Sequence, residues 1–212
     1  MIIIVYEKKY HNQIIHSCID ALKKGKSIAY PTDTSYGLAV DATNIKAVKK
    51  LYKIKGRNFN KPVHVVVPSV GYAKKNVRWN SIASKLTKKF WPGALTLVLE
   101  VRSKKQEVRF LIAKTGYLGV RMPRNKIALD LSRLLKRPIT ATSANRSGGP
   151  DCYGIDDIIS QFKSSKYTPD IIINAGKLPR RKPSTIIKLD GDQIEVLREG
   201  PIPKSKILNL IS

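Results

Sequence analysis

Short apolar runs alternate with segments of helical period along most of this chain, and that alternation leaves few folds open. Residues 2–5 read as a strand, after which Ile14, Ile15, Cys18, Ile19 and Leu22 recur at helical spacing and stop at Gly25, a C-cap residue. "SIAYPT" continues as a strand. A second helix is expected from a cap at Asn44 through Ile45, Val48, Leu51 and Tyr52, followed by "KPVHVVV", apolar enough for a strand buried on both faces. A third helix carries Ile82, Leu86 and Phe90 up to the breaker Trp91-Pro92-Gly93. "ALTLVLEV" and "YLGVRM" are strands, and Ile127, Leu131, Leu134 and Leu135 make a helix before the strand "PITAT". A short helix from Ile155 to Phe162 precedes strands at "DIIIN", "STIIKL" and "QIEVLRE", the last two a hairpin turning at Asp190-Gly191-Asp192. This order predicts an α/β fold, a twisted mixed β-sheet flanked by helices, with no internal repeat and no long linker. The Pro- and Arg-rich segment 176–184 reads as an exposed loop crossing to the hairpin.

A chain of 212 residues, 42% of them hydrophobic, buries a substantial core as one domain or a compact pair. Its 40 Lys and Arg against 15 Asp and Glu leave a net charge of +25, which suits nucleotides, RNA or acidic surfaces as partners; a lysine-rich compositional habit is the plainer explanation. Between Asp41 and Glu100 there is no acid, yet the stretch holds 13 Lys and Arg. Lys46, Lys49, Lys50 and Lys53 fall mostly opposite the apolar stripe of their helix, so individually they read as a solvated face and collectively as a positive field. The two cysteines, Cys18 and Cys152, lack CxxC or metal-ligand spacing, which argues against a zinc site or a disulfide framework. The opening "MIIIVYEKKYH" is too short an apolar run for a signal peptide or a membrane span, and a cytoplasmic location is the default.

Three segments offer chemistry. In "KIKGRNFNKP", Lys55, Arg57 and Lys61 sit on a loop between a helix and a buried strand, where an Arg fork and Lys point charges reach an anion at a sheet edge. No phosphate loop is present: Asp20 stands where the first glycine of GxxxxGK[ST] belongs, and "GKS" leads from helix to strand. In "ATSANRSGGP", Thr142, Ser143 and Asn145 place short donors and acceptors at a strand's carboxyl end, or simply close a turn onto Gly148-Gly149-Pro150. In "GVRMP", Arg121 inside an apolar strand is costly if buried unpaired, so it belongs on an edge or, preferably, against a carboxylate or phosphate. Asp33, in the hydroxyl-rich turn "PTDTSYGL", either orders that turn or meets a metal. His11, His16 and His64 form no catalytic triad, and His64 reads as a hydrogen-bonded structural histidine within its strand.

Taken in order, "PTDTSYGL", "KGRNFNKP" with its Lys-x-Arg pair, "WPGALTLVL", "GVRMP", "ATSANRSGGP" with its Ser-x-Asn, "PSTII" and "LREG" resemble the YrdC/TsaC family, the L-threonylcarbamoyladenylate synthases of tRNA modification. The resemblance runs from the first helix to "LREGPI". It implies a YrdC-like fold with a basic concave cleft, one domain over 1–212 with a core of about 6–203. It implies a nucleotidyltransferase: threonine's amine captures bicarbonate or CO2, and the carbamate attacks the α-phosphorus of ATP. The products are threonylcarbamoyl-AMP and pyrophosphate, the first step toward N6-threonylcarbamoyladenosine beside the anticodon. Carried over by motif, Thr34, Arg121 and Ser184 hold threonine, Arg121 by its carboxylate. Lys55 and Arg57 are the catalytic pair and face phosphates with Lys61; Ser143 and Asn145 meet the nucleotide and Arg198 the adenylate side. ATP is a substrate that brings Mg2+, with the metal's ligands left open. The implied recipient is a TsaD-containing transfer complex, with direct tRNA contact through the basic surface as a further possibility.

Two departures stand out. Some relatives place a histidine two residues after His64, where this chain has Val66, and the end at Ser212 leaves no room for the carboxyl-terminal domain of longer relatives. The related carbamoyl-transfer domains of hydrogenase maturation proteins carry acylphosphatase and zinc-finger modules that this length and two cysteines exclude. The competing reading is a non-enzymatic RNA-binding module, drawn from the acid-free stretch and Arg180-Arg181-Lys182. It lacks an RRM, KH or OB signature, and 7% aromatic content is thin for base stacking.

Overall fold

The computed structural model of the chain describes residues 1–102 and 106–211. In chain order, β1 (Ile2–Val5) leads into α1 (His11–Lys23), then β2 (Ile28–Tyr30), β3 (Gly37–Ala39), α2 (Ile45–Lys55), β4 (Val65–Val66), α3 (Val70–Asn76), α4 (Ser81–Phe90) and β5 (Leu95–Glu100). There follow α5 (Gln106–Ile112), β6 (Tyr117–Arg121), α6 (Lys126–Leu135), β7 (Ile139–Thr140), β8 (Thr142–Ser143), α7 (Ile155–Phe162), β9 (Ile171–Asn174), β10 (Thr185–Asp190), β11 (Gln193–Arg198) and α8 (Lys204–Ile211). Local signals account for many of these ends. Asn44, Asn80 and Asn125 each accept a backbone N–H at the start of α2, α4 and α6, at 3.1, 2.8 and 3.1 Å. Gly56 ends α2 in the left-handed region, φ 57°, where a side chain would cost about 1 kcal/mol or more. That turn throws Arg57 off the helix axis toward the sheets.

The expected mixed sheet is present, divided into two. One has the order β1-β9-β2-β3-β8, parallel across β1, β9 and β2 and antiparallel beyond; the other has the order β11-β10-β5-β6-β4-β7, with parallel pairs β10/β5 and β6/β4. They meet at a seam. β7 and β8 are separated by Ala141 alone, yet β7 pairs with β4 and β8 with β3. Thr140 fastens the junction: its N–H donates to Val40 O, and its hydroxyl accepts from Val40 N and donates to Leu38 O. The expected strand "KPVHVVV" shortens to Val65–Val66 because its leading residues find other backbone partners. Val63 N donates to Leu111 O, and Ala141 N donates to His64 O at 2.7 Å.

α1 and α6 cover one side of the seam, where Ile15, Leu22, Ile127 and Leu131 pack with Ile28 and Ile173. A larger cluster fills the other side, joining Leu51 and Ile54 of α2, Leu86 of α4 and Ile207 of α8 to Leu97 and Val120. The structure adds three short helices that the sequence reading does not include, α3, α5 and α8. Of the α2 lysines, Lys46, Lys49 and Lys53 are exposed, but Lys50 is half-buried and its Nζ reaches Asp170 Oδ2 at 2.5 Å, so it is not a mere solvated charge. Cys18 and Cys152 are buried, and burial pushes both thiols up to about 12. No helix among the described residues is long and apolar enough to cross a membrane.

Candidate active site

A cavity of about 340 Å³ opens along the seam. The first sheet and its turn supply Tyr30, Thr32, Thr34, Ser35, Tyr36 and Ser143; the second supplies Val66, Thr96, Arg121 and Arg198. The turn is folded by Thr32, whose hydroxyl accepts from Thr34 N (3.0 Å) and Ser35 N (3.3 Å) and donates to Ser35 O (2.7 Å). That geometry aims Asp33 and Thr34 across the seam at Arg121. Arg121 Nη2 donates to Asp33 Oδ1 at 2.5 Å, Nε to Gly93 O at 3.2 Å, and Nη1 lies 3.4 Å from Thr34 Oγ1. β6 is an interior strand, so the edge alternative is excluded, and the carboxylate Arg121 meets comes from its own chain. Burial lowers the Arg121 pKa, and Asp33 opposes that shift. Asp33 is thereby an ion-pair partner, and among the described residues no group of three or more His, Cys, Asp or Glu could hold a metal.

Two more guanidinium groups face the same space. Arg198 Nε donates to Ser184 O at 2.9 Å and Nη2 to Ser184 Oγ at 3.2 Å, while Ser184 Oγ and Thr96 Oγ1 are 2.9 Å apart. Arg57 Nη2 donates to Pro62 O at 2.8 Å, and its Nε is buried without a hydrogen-bond partner among the described residues. Lys55 is set one layer back. Its Nζ donates to Ser143 O (2.6 Å), Asn145 O (2.8 Å) and Asn145 Oδ1 (3.0 Å), which uses every ammonium proton on the 143–145 turn. Burial, reinforced by Arg57, pushes Lys55 down to about 7. Asn145 is equally committed: its Oδ1 also accepts from Ser143 Oγ at 2.6 Å, and its Nδ2 donates to Gly149 O. Lys61 is exposed and off the wall; its carbonyl accepts from Tyr52 Oη. The expected residues therefore separate. Thr34, Arg57, Arg121, Ser143, Ser184 and Arg198 line the cavity, Lys55 and Asn145 brace the turn behind it, and Lys61 stays outside.

Sequence reasoning missed His64, Thr96 and Asp151 on this wall. His64 was expected to be hydrogen-bonded within its strand, but its ring has no hydrogen-bond partner among the described residues and faces the cavity. Burial, then Arg198, Arg57 and Arg121, hold its pKa down at about 4. The ring lies over Gly119 so closely that a Cβ there would sit 2.3 Å from its Cδ2. A signal existed: in an extended segment His64 and Val66 share one face, and Val66 also lines the cavity.

The model of the family of Sua5, YciO and YrdC proteins, described as "Telomere recombination", matches residues 20–200. The chain belongs to the Sua5/YciO/YrdC family. A putative threonylcarbamoyl-AMP synthase of Methanocaldococcus jannaschii is 37% identical over 208 residues, spanning 97% of this chain and 96% of that one. The threonylcarbamoyl-AMP synthase of Pyrococcus abyssi is 35% identical over 195 residues, and the match covers 90% of this chain but 55% of that one. The crystal structure of P. abyssi Sua5 complexed with L-threonine superposes with a TM-score of 0.91 at 32% identity, over 100% of this chain and 61% of that one. Within this member of the Sua5/YciO/YrdC family, the cavity is a seam lined by three guanidinium groups, Arg57, Arg121 and Arg198, with Ser and Thr hydroxyls among them. Such a wall stabilises negative charge.

Proposed function

We propose that the chain is a threonylcarbamoyl-AMP synthase, a nucleotidyltransferase that joins L-threonine, bicarbonate or CO2 and ATP into threonylcarbamoyl-AMP and pyrophosphate. The observation that carries this reading is the placement of Arg121 and Arg57 on one wall. Arg121 is already matched to a carboxylate, and Arg57 keeps a buried N–H without a partner, as a phosphate oxygen would require. Threonine's carboxylate meets the Nη protons of Arg121 that Asp33 and Thr34 leave free, beside Thr34 and Ser184. Its amine adds to CO2 and loses a proton to give a carbamate, whose oxygen attacks the α-phosphorus in line as pyrophosphate leaves. The protein supplies positioning and positive charge for that displacement. Arg57 meets the phosphates, with Lys61 reaching in from the rim. Arg198 lies on the adenylate side and Ser143 meets the nucleotide, on a turn that Lys55 and Asn145 hold in shape.

Mg2+ arrives as part of the substrate MgATP. Among the described residues Asp151 is the single carboxylate lining the cavity, so the phosphates themselves would supply most of the metal's ligands. The labile product passes to a TsaD-containing transfer complex for tRNA, in the cytoplasm, and the basic surface is available for direct tRNA contact. The non-enzymatic alternative is set aside because a relative of nearly the same length carries a synthase name. Purified protein with ATP, labelled threonine and bicarbonate should release pyrophosphate only when both threonine and bicarbonate are present. Serine should be slower, since a pocket moulded around a methyl group loses roughly 1 kcal/mol or more without it. Equal rates with glycine would overturn the threonine assignment.

A further inference from the structure

We propose that the His64 imidazole contacts and positions the carbamate as it passes between the threonine and phosphate stations of the cavity. This rests on the synthase reading and goes beyond it, by assigning the middle of the site. The chain lays out the order itself. Pro62 anchors Arg57 through its carbonyl, and Val66 is in register with Arg121 in the β4/β6 pair. His64 stands between them, two residues from each, about 6 to 7 Å at extended spacing. Pro62, His64 and Val66 all line the same cavity. A ligand with its carboxylate on Arg121 and a phosphate on Arg57 must therefore carry its connecting carbamate past the ring.

The ring suits that group. A neutral imidazole offers one donor and one acceptor, and neither ring nitrogen has a partner among the described residues. A carbamate offers the matching pair, two oxygens and one N–H. Beside the ring, the Thr96 and Ser184 hydroxyls bond each other, and Ser184 also accepts from Arg198. With Arg57, Arg121 and Arg198 around it, a fourth cation would be repelled, and His64 stays uncharged at neutral pH. Gly119 lets the ring lie against the β6 backbone, which limits its swing. No proton transfer is assigned to it, since so weak a base cannot deprotonate the threonine ammonium.

The test uses the full chain with His64→Ala and His64→Gln, and Gly119→Ala as a variant that displaces the ring without removing it. Calorimetry without bicarbonate should give threonine and MgATP dissociation constants within about twofold of the parent. Steady-state pyrophosphate release should show the apparent KM for bicarbonate raised about tenfold in His64→Ala, raised also in Gly119→Ala, and largely restored in His64→Gln, whose amide keeps a donor and an acceptor. An unchanged bicarbonate KM in His64→Ala overturns the proposal, as does an equal loss of threonine affinity or a failure of all three variants to fold. Failure of the functional reading looks different: the parent protein itself would then show no turnover dependent on threonine and bicarbonate.

Discussion

Replacing Asp33 by Asn tests the ion pair that crosses the seam. Asp33 and Arg121 side chains are only 9% and 10% exposed and approach to 2.5 Å. With charge centres about 4 Å apart and an effective dielectric near 20, their attraction is about 4 kcal/mol. Removing one partner of such a buried pair costs about 3 to 5 kcal/mol, because the remaining charge is left uncompensated. The Asn amide oxygen recovers one hydrogen bond, so we expect Asp33→Asn to lose about 3 kcal/mol in urea denaturation. In a chain of this length that lowers Tm by roughly 6 to 12 °C. Arg121→Met should cost a similar amount, and the double variant Asp33→Asn/Arg121→Met much less than the sum, giving a coupling energy of about 2 kcal/mol or more. Threonine should restore more Tm to Asp33→Asn than to the parent, because its carboxylate compensates the orphaned guanidinium. A coupling energy below about 0.5 kcal/mol, or additive single variants, would refute the assignment of Asp33 as the group that stabilises Arg121.

Arg57→Ala should lower kcat about 10- to 150-fold at saturating ATP and threonine, whereas Arg121→Ala should chiefly raise the KM for threonine; the opposite pattern in steady-state kinetics would mean their roles are exchanged. Because Lys55 is held near 7 in the fold but keeps its proton to about 10.4 when unfolded, the native state binds fewer protons above pH 7 and its stability should rise there. That rise, about 2 to 3 kcal/mol from pH 7 to 9, should vanish in Lys55→Met, as urea denaturation at several pH values would show. Lys46→Glu with Lys49→Glu should leave pyrophosphate release intact, since exposed charges are screened beyond about 8 Å. Lys50→Glu, set against Asp170, should by contrast cost on the order of 2 kcal/mol, read as a lower Tm.

What the sequence made legible was local. α7 runs from Ile155 to Phe162 as expected, and the last hairpin turns at Gly191, because a helical stripe and an Asp-Gly turn are decided by neighbours. The division into two sheets was not legible, since nothing near Ala141 states that β7 and β8 take different partners. Arg121 was correctly read as needing an anion, but its partner lies 88 residues away and only the fold brings it there. Lys55 shows a signal passed over: it stands four residues after Leu51 on the buried face of α2, so its ammonium had to point inward. Its family motif drew attention to phosphate, while its helical phase placed it under the 143–145 turn.

The seam has a consequence for what the protein can measure. Among the described residues, the jaws of the cavity belong to different hydrogen-bonded ladders that join at one end only, where Asp41 bridges Ile139 and Thr140 N donates to Val40 O. Beyond that end, closed by the backbone bonds around Thr140, the gap is tied by Tyr30 Oη to Thr140 O and Arg121 to Asp33. Such an arrangement behaves as a caliper: a molecule that touches both jaws at once loads those ties, and a shorter one leaves them at rest. Reach, as much as chemical identity, then decides which molecules the two sheets grip together.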